Sequence, residues 1–201
     1  MSEIVKSKSQ EEDTLLVKEF LNNNKDSFNK LMQKYRDMIF NLCFRIMGDY
    51  DDANDCAQEV FIKVYKNLRN FKFRSGFSTW IYRIAVNTCR NELSSLKYRM
   101  KKKIIRISNE NNEAHSGMLA ANIQDSSSNP EELYEKKERE ELIQNAVNSL
   151  RGREKILLVL RDIEGKSYEE IASITGIALG TVKSGLSRAR QEMANLLRGV
   201  L

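Results

Sequence analysis

At 201 residues the chain has room for one or two domains, and its 33 Lys plus Arg against 28 Asp plus Glu leave an excess too small to interpret without asking where the charges sit. One Pro and nine Gly in this length argue against a sheet- or loop-dominated protein and for a mostly helical one. The polar start MSEIVKSKSQEEDT lacks the apolar core of a signal peptide, and the longest apolar run, Ile156 to Leu160, is far too short to span a bilayer.

In chain order, residues up to about Asp13 are expected to fray, followed by a short amphipathic helix through Leu15, Leu16, Val17, Phe20 and Leu21 that stops at Asn22-Asn23-Asn24. Asp26 reads as the N-cap of a long helix. Its apolar positions, from Phe28, Leu31 and Met32 to Ile46 and Met47, step by three and four without a miss, and Gly48 ends it.

The next helix begins near Asp51 and Asp52, where acids favour the positive end of the helix dipole. Its buried stripe is expected to be Ala53, Cys56, Ala57, Val60, Phe61, Val64, Tyr65 and Leu68. Its outer face carries Asp51, Asp52, Asp55, Gln58 and Glu59. That face could be a solvated helix start, a magnesium site for nuclease chemistry, or a docking surface for a basic partner.

The loop Asn70 to Phe77 (NFKFRSGF) is dense in aromatic and basic residues. Phe71, Phe73 or Phe77 could stack on unpaired bases while Lys72 and Arg74 hold phosphates, or the rings could anchor the loop to the core. A third helix follows, with Trp80, Ile84 and Leu93 expected inward and Asn87, Arg90 and Asn91 forming a polar row able to meet a base edge. After Leu96 come Lys97, Arg99, Lys101, Lys102, Lys103 and Arg106 with no acid among them, which fits a phosphate-tracking surface or a solvated helix end. The three cysteines, Cys43, Cys56 and Cys89, sit in apolar helical patterns, form no CxxC pair, and point to a reduced cytoplasmic setting.

From Ile107 to Pro130 periodicity vanishes. The segment holds the only His and the only Pro and reads as a linker. As a coil it averages roughly 25–30 Å end to end and stretches to about 80 Å, so it cannot fix the spacing of what it joins. An acid-rich helix after Pro130 then turns an apolar face of Leu142, Ile143, Ala146, Val147 and Leu150, and another passes through Ile156, Leu157, Leu160 and Ile163 to Gly165.

The stretch SYEEIASITGIALGTVKSGLSRAR, Ser167 to Arg190, closes the pattern. Two short helical runs meet at Thr175-Gly176-Ile177, where Gly176 supplies the positive φ of a sharp turn. Thr181 reads as the N-cap of the second helix, with Val182, Leu186 and Ala189 inward and Lys183, Ser184, Ser187, Arg188 and Arg190 outward. This is the pattern of a helix-turn-helix, whose second helix normally enters a major groove, or else of an ordinary helical hairpin with a solvated basic face; the small residues Ala172, Gly176 and Ala189 at the crossing favour the first.

The motifs DCAQEVFIKVYKNL, FSTWIYRIAVNTCRNEL and SYEEIASITGIALGTVKSGLSRAR, in that order across a structureless linker, resemble the bacterial sigma factors of the extracytoplasmic-function (ECF) group. The resemblance covers roughly Asp26 to Met100 and Glu140 to Leu197. It implies an all-α fold of two helical domains joined by a flexible linker. The expected division is an N-terminal segment, 1-25; a region-two domain, 26-106; the linker, 107-130; and a region-four helix-turn-helix domain, 131-201.

It also implies an alternative sigma factor of a stress response, with core RNA polymerase and promoter DNA as partners. An anti-sigma factor, membrane-anchored in many relatives, would hold the chain at the inner face of the membrane. No small-molecule substrate, cofactor, metal or catalytic residue is implied. Asp55, Gln58 and Glu59 would dock on the polymerase. Phe71, Lys72, Arg74, Phe77, Trp80, Asn87, Arg90 and Asn91 would read and melt the minus-ten element, with Asn87 receiving a flipped base. Arg161, Tyr168, Thr181, Lys183, Ser184, Ser187 and Arg188 would meet the minus-thirty-five element. Gly185 stands where the family usually carries a basic residue, so one contact there is expected to be missing.

Two other readings differ in class. A response-regulator-type transcription factor needs a receiver or ligand domain with strands, and no stretch before Met100 alternates as a strand does. A nuclease built on Asp51, Asp52, Asp55 and Glu59 lacks a supporting His or second acidic cluster.

Overall fold

The computed structural model describes residues 2–95, 139 and 142–198, with side chains from Lys8 onward. Among the described residues every regular element is helical. The first module is α1 (Ser2–Leu21), α2 (Lys25–Met47), α3 (Tyr50–Asn67), a 3₁₀ turn (Leu68–Asn70) and α4 (Phe77–Ser94). The second is α5 (142–149), α6 (Gly152–Leu158), a wide π turn (Val159–Ile163), α7 (Tyr168–Thr175) and α8 (Leu179–Leu197). The basic run after Leu96, the expected linker 107–130 and the acid-rich helix start lie outside the described residues.

Helix α1 begins at Ser2, well before the expected start near Leu15. No Gly or Pro interrupts residues 2–21, and the helix is tied down from its middle: Asp13 is 1% exposed, accepts a hydrogen bond from the Tyr35 hydroxyl and lies 2.7 Å from Lys34 Nζ. The cap of α2 also moves. Asn24, not Asp26, accepts the hydrogen bond, from the Asp26 N–H at 3.1 Å. Gly48 closes α2 at φ 75°, and its N–H bonds back to the Phe44 carbonyl. A side chain there would also strike the Asn148 amide of the second module, 2.1 Å from an ideal Cβ. Asp49 caps α3 through the Asp52 N–H, so the helix starts at Tyr50, just before the expected acidic start at Asp51.

The core of the first module combines aliphatic side chains with buried rings such as Phe20, Phe28, Tyr35, Phe77 and Tyr82. Ile39, Leu42, Cys43, Ile46, Ala53, Val60, Ile81, Ala85 and Cys89 are fully buried. The inward face of α4 is Ile81, Tyr82, Ala85, Val86 and Cys89, while Trp80, Ile84 and Leu93 are only partly buried. In the second module Val159, Leu160, Ile171, Val182 and Ala189 are fully buried. Leu142 and Ile143, expected inward, are each 39% exposed.

The two modules are in contact. Helix α7 lies on α4, and their apolar residues join one continuous cluster. The polar groups along this seam are specific. Tyr82 Oη donates to Glu164 at 2.6 Å, and Arg83 Nη2 donates to the Ser173 carbonyl at 2.7 Å. The Lys166 ammonium sits 4.2 Å from the centre of the Tyr82 ring. Gln144 donates to the Arg45 carbonyl at 3.3 Å. Burial, then the Glu164 carboxylate, push the Tyr82 phenol above its usual range, which keeps it a donor. In the arrangement described the two modules are closed on one another.

Candidate functional site

Three surfaces and one buried cluster carry chemistry. The first surface lies between α3 and α4. A cleft of about 460 Å³ is walled by Trp80, Ile84 and Thr88 and edged by Asn87, Asn91, Asn67, Asn70 and Lys63. Helical spacing explains the grouping, because Ile84, Asn87, Thr88 and Asn91 recur at three- and four-residue steps. Arg90 Nη2 donates to Asn87 Oδ1 at 2.8 Å and holds that amide at the rim. Lys63 Nζ donates to Thr88 Oγ1 at 3.2 Å and lies 3.3 Å from Glu59. Trp80, Asn87 and Asn91 were expected here. Lys63, Asn67 and Asn70 were not, because they come from α3 and the turn after it.

The aromatic loop divides its rings. Phe71 and Phe77 are 7% and 3% exposed and pack on each other and on Trp80. Their faces are covered by the core, which corrects their place among the expected base-stacking residues. Phe73 is the outward ring, 41% exposed and held at φ 53°, a left-handed conformation that a bulky residue seldom adopts. Lys72 and Arg74 flank it in solvent.

The second surface is a groove of about 870 Å³ between α2 and α3. Phe28, Met32, Phe40 and Phe61 form its floor, and Tyr50, Ile62 and Tyr65 stand 54%, 46% and 46% exposed beside it. Exposed apolar grooves of this kind mark interaction sites. Of the expected docking residues, only Gln58 lines the groove; Asp55 and Glu59 are exposed on the same helix. Phe61 and Tyr65 line this groove while still touching the core: Phe61 packs partly buried against it, and the Tyr65 ring meets Phe20 and Phe28 edge-on. Their 3.6-residue periodicity could not separate the two, because core face and groove are adjacent.

The third surface is the helix-turn-helix. Ser167 and Glu170 form a reciprocal capping box, the Glu170 N–H reaching Ser167 Oγ at 3.1 Å and the Ser167 N–H reaching Glu170 Oε2 at 2.7 Å. Gly176 ends α7 at φ 72°. Helix α8 starts at Leu179 behind Ala178, with no side-chain cap, so Thr181 lies in its first turn and is not the N-cap. Lys183, Ser184, Ser187 and Arg188 are all exposed on one face, and Val182, Leu186 and Ala189 are buried on the other. Gly185 is buried too. An ideal Cβ there would lie 2.5 Å from Leu157 Cδ1, so this position faces α6 and not solvent. The expected loss of an outward contact is therefore corrected: the glycine admits a close helix crossing. Arg161 donates to the Lys166 carbonyl at 2.8 Å and lies 4.8 Å from the Tyr168 ring centre, so it braces the entry to α7. Arg190 forks onto Asp162 at 2.5 and 3.1 Å.

Inside the first module the three cysteines meet. Cys56 Sγ is 3.4 Å from Cys89 Sγ, which is 3.7 Å from Cys43 Sγ. Their mutual hydrogen bonds raise Cys43 and Cys89 and draw Cys56 below the usual thiol range.

The chain is similar to known proteins along both modules. Residues 31–98 match the family model for sigma-70 region 2, and residues 140–193 match that for sigma-70 region 4. The RNA polymerase sigma-H factor of Pseudomonas aeruginosa is 36% identical over 96% of this chain and 97% of its own length. The ECF RNA polymerase sigma-E factor of Escherichia coli K12 is 33% identical over 94% and 96%. Among solved structures, CnrH in complex with the cytosolic domain of CnrY superposes with a TM-score of 0.61 at 19% identity, over 94% of this chain and 98% of that one. The Bartonella quintana sigma factor RpoE in complex with the anti-sigma factor NepR gives 0.57 at 23%, over 85% and 96%. At these identities the two structures speak for the fold.

Proposed function

This chain belongs to the extracytoplasmic-function sigma factors, and from that premise we propose how its surfaces divide the work of starting transcription. It is a transcription initiation factor that acts with core RNA polymerase on promoter DNA, and not an enzyme. The first module, 26-106, engages core polymerase and the minus-ten element; the second, 131-201, engages the minus-thirty-five element.

The observation that carries the reading is the Asn87 cleft. It joins an apolar wall, Trp80 and Ile84, to amides from Asn87, Asn91 and Asn67 that can donate and accept along a base edge. A base flipped out of the duplex needs that combination, and flipping costs a few kcal/mol that the cleft can return. Phe73, Lys72 and Arg74 border the melted strand, and Arg90 orients Asn87. The groove with Gln58 on its wall, together with Asp55 and Glu59, is the polymerase-docking surface. Its apolar floor supplies the affinity and its acids the register. Lys183, Ser184, Ser187 and Arg188 face the major groove of the upstream element, with Thr181 at the start of the helix and Arg161 and Tyr168 supporting it.

The closed seam adds a step. Elements near positions ten and thirty-five lie about 25 base pairs apart, roughly 85 Å along the duplex. A second module resting on α4 cannot reach both, so core polymerase parts the seam and sets the interval. Relatives of this fold are solved bound to the cytosolic domain of CnrY and to the anti-sigma factor NepR. An anti-sigma factor, membrane-anchored, holds this chain in the same manner until a stress releases it. Among the described residues no helix is long and apolar enough to cross a membrane.

Purified chain plus bacterial core polymerase should start transcripts at discrete sites, and neither should alone. Failure to co-purify with core polymerase would falsify the docking assignment. Asn87→Ala should impair promoter opening while polymerase binding persists; loss of both would make Asn87 a structural residue.

A further inference from the structure

We propose that Cys43, Cys56 and Cys89 form a binding site for one trivalent, thiophilic metalloid ion of the arsenic(III) class, held by three sulfurs. These are all the cysteines of the chain, separated by 13 and 33 positions. They come from α2, α3 and α4, yet their sulfurs lie within 4.8 Å of one another. An ion about 2.3 Å from each of three sulfurs, the length of a zinc–thiolate bond, needs sulfur–sulfur edges near 4 Å, and shorter ones when it stands out of their plane. The Cys56–Cys89 and Cys89–Cys43 edges, 3.4 and 3.7 Å, suit the second case, which is the geometry of an ion carrying a lone pair, and the third edge lies within 4.8 Å.

Charge and coordination select the ion. Cys43, Cys56 and Cys89 are 0%, 4% and 0% exposed, so a charged product there is costly. Among the described residues no fourth cysteine, histidine or carboxylate joins the group, which disfavours zinc and its four ligands. Three thiolates around a monovalent soft ion such as copper(I) would bury two negative charges; around a trivalent ion they bury none. Arsenous acid reacts as As(OH)₃ + 3 RSH → As(SR)₃ + 3 H₂O. Three S–H and three As–O bonds break, three As–S and three O–H bonds form, and nothing is oxidised or left charged. The product pins together the three helices that carry the Asn87 cleft and the docking groove. This proposal stands apart from the functional reading, since its test reads no transcription.

The full chain, kept reduced with a phosphine, is titrated with arsenite. We expect one arsenic per native chain by mass spectrometry, a sulfur-to-arsenic absorption band, three sulfurs in the X-ray absorption spectrum, and a rise in melting temperature. Cys43→Ala, Cys56→Ala and Cys89→Ala should each lose the three-sulfur signature while retaining the helical circular dichroism spectrum. Wild-type stoichiometry and sulfur count decide the matter even if a variant fails to fold. Binding only in denaturant, two sulfurs in the absorption spectrum, or tighter retention of zinc or copper(I) in competition would overturn the proposal.

Discussion

The interior of the first module and the seam between the modules are built from different materials. Inside, Ile39, Leu42, Ile46, Val60, Ile81 and Ala85 are sealed from water and held by dispersion and the hydrophobic effect. At the seam, directed contacts accompany the apolar ones: a phenol on a carboxylate, a guanidinium on a carbonyl, an ammonium over a ring. Directed bonds to groups that water can satisfy are exchanged at little net cost, and contacts between domains of one chain resemble transient interfaces. The difference teaches which contact is meant to persist. The interior fixes the shape of the Asn87 cleft; the seam can open without disturbing it.

Four variants break or sharpen that contrast. The largest effect belongs to the interior. Ile39→Ala should cost about 2–5 kcal/mol in denaturant unfolding, because the cavity cannot collapse. Gly185→Arg comes next. With Leu157 already 2.5 Å from an ideal Cβ, overpacking should cost about 1–3 kcal/mol. Duplex binding should weaken; tighter binding at an unchanged melting temperature would show that the position faces DNA after all. At the seam, Tyr82→Phe removes the hydrogen bond to Glu164 and should shift the closed state by about 0.5–1.5 kcal/mol. Resonance energy transfer between labels at Lys66 and Gln191 reads this as a larger open population. A loss of global stability as large as that of Ile39→Ala would merge seam and interior into one core. The smallest change is Arg190→Ala. Its pair with Asp162 is 48% and 35% exposed and should be worth about 0.2–1 kcal/mol, vanishing in high salt.

Local signals were legible in the sequence and distant ones were not. Gly48 and Gly176 announce their left-handed turns because few other residues tolerate them. The outward row Lys183, Ser184, Ser187 and Arg188 follows from helical periodicity alone. Caps slipped by two or three residues, as at Asn24 and Ala178, because several neighbouring residues could serve. Phe61 and Tyr65 were expected wholly inside, because an apolar stripe does not say how much of it meets a core and how much stays open in a groove. The meeting of Cys43, Cys56 and Cys89 could not be read at all: nothing in spacings of 13 and 33 encodes three helices converging. Tyr82, Arg83 and Glu164 likewise look like ordinary solvated groups until the modules are seen together.

The wide turn at Val159–Ile163 has a consequence for how this chain can change over time. Its closing bond runs from the Glu164 N–H to the Val159 carbonyl, five residues back, so it holds one residue more than a regular helical turn. Deleting that residue would restore ordinary winding and rotate everything beyond it by about 100° relative to the preceding helix. Glu164 would swing away from Tyr82, and Arg161 would lose its reach to Lys166. A single-codon deletion there would thus act as a phase shift, unlatching the pair while every other side chain stayed the same.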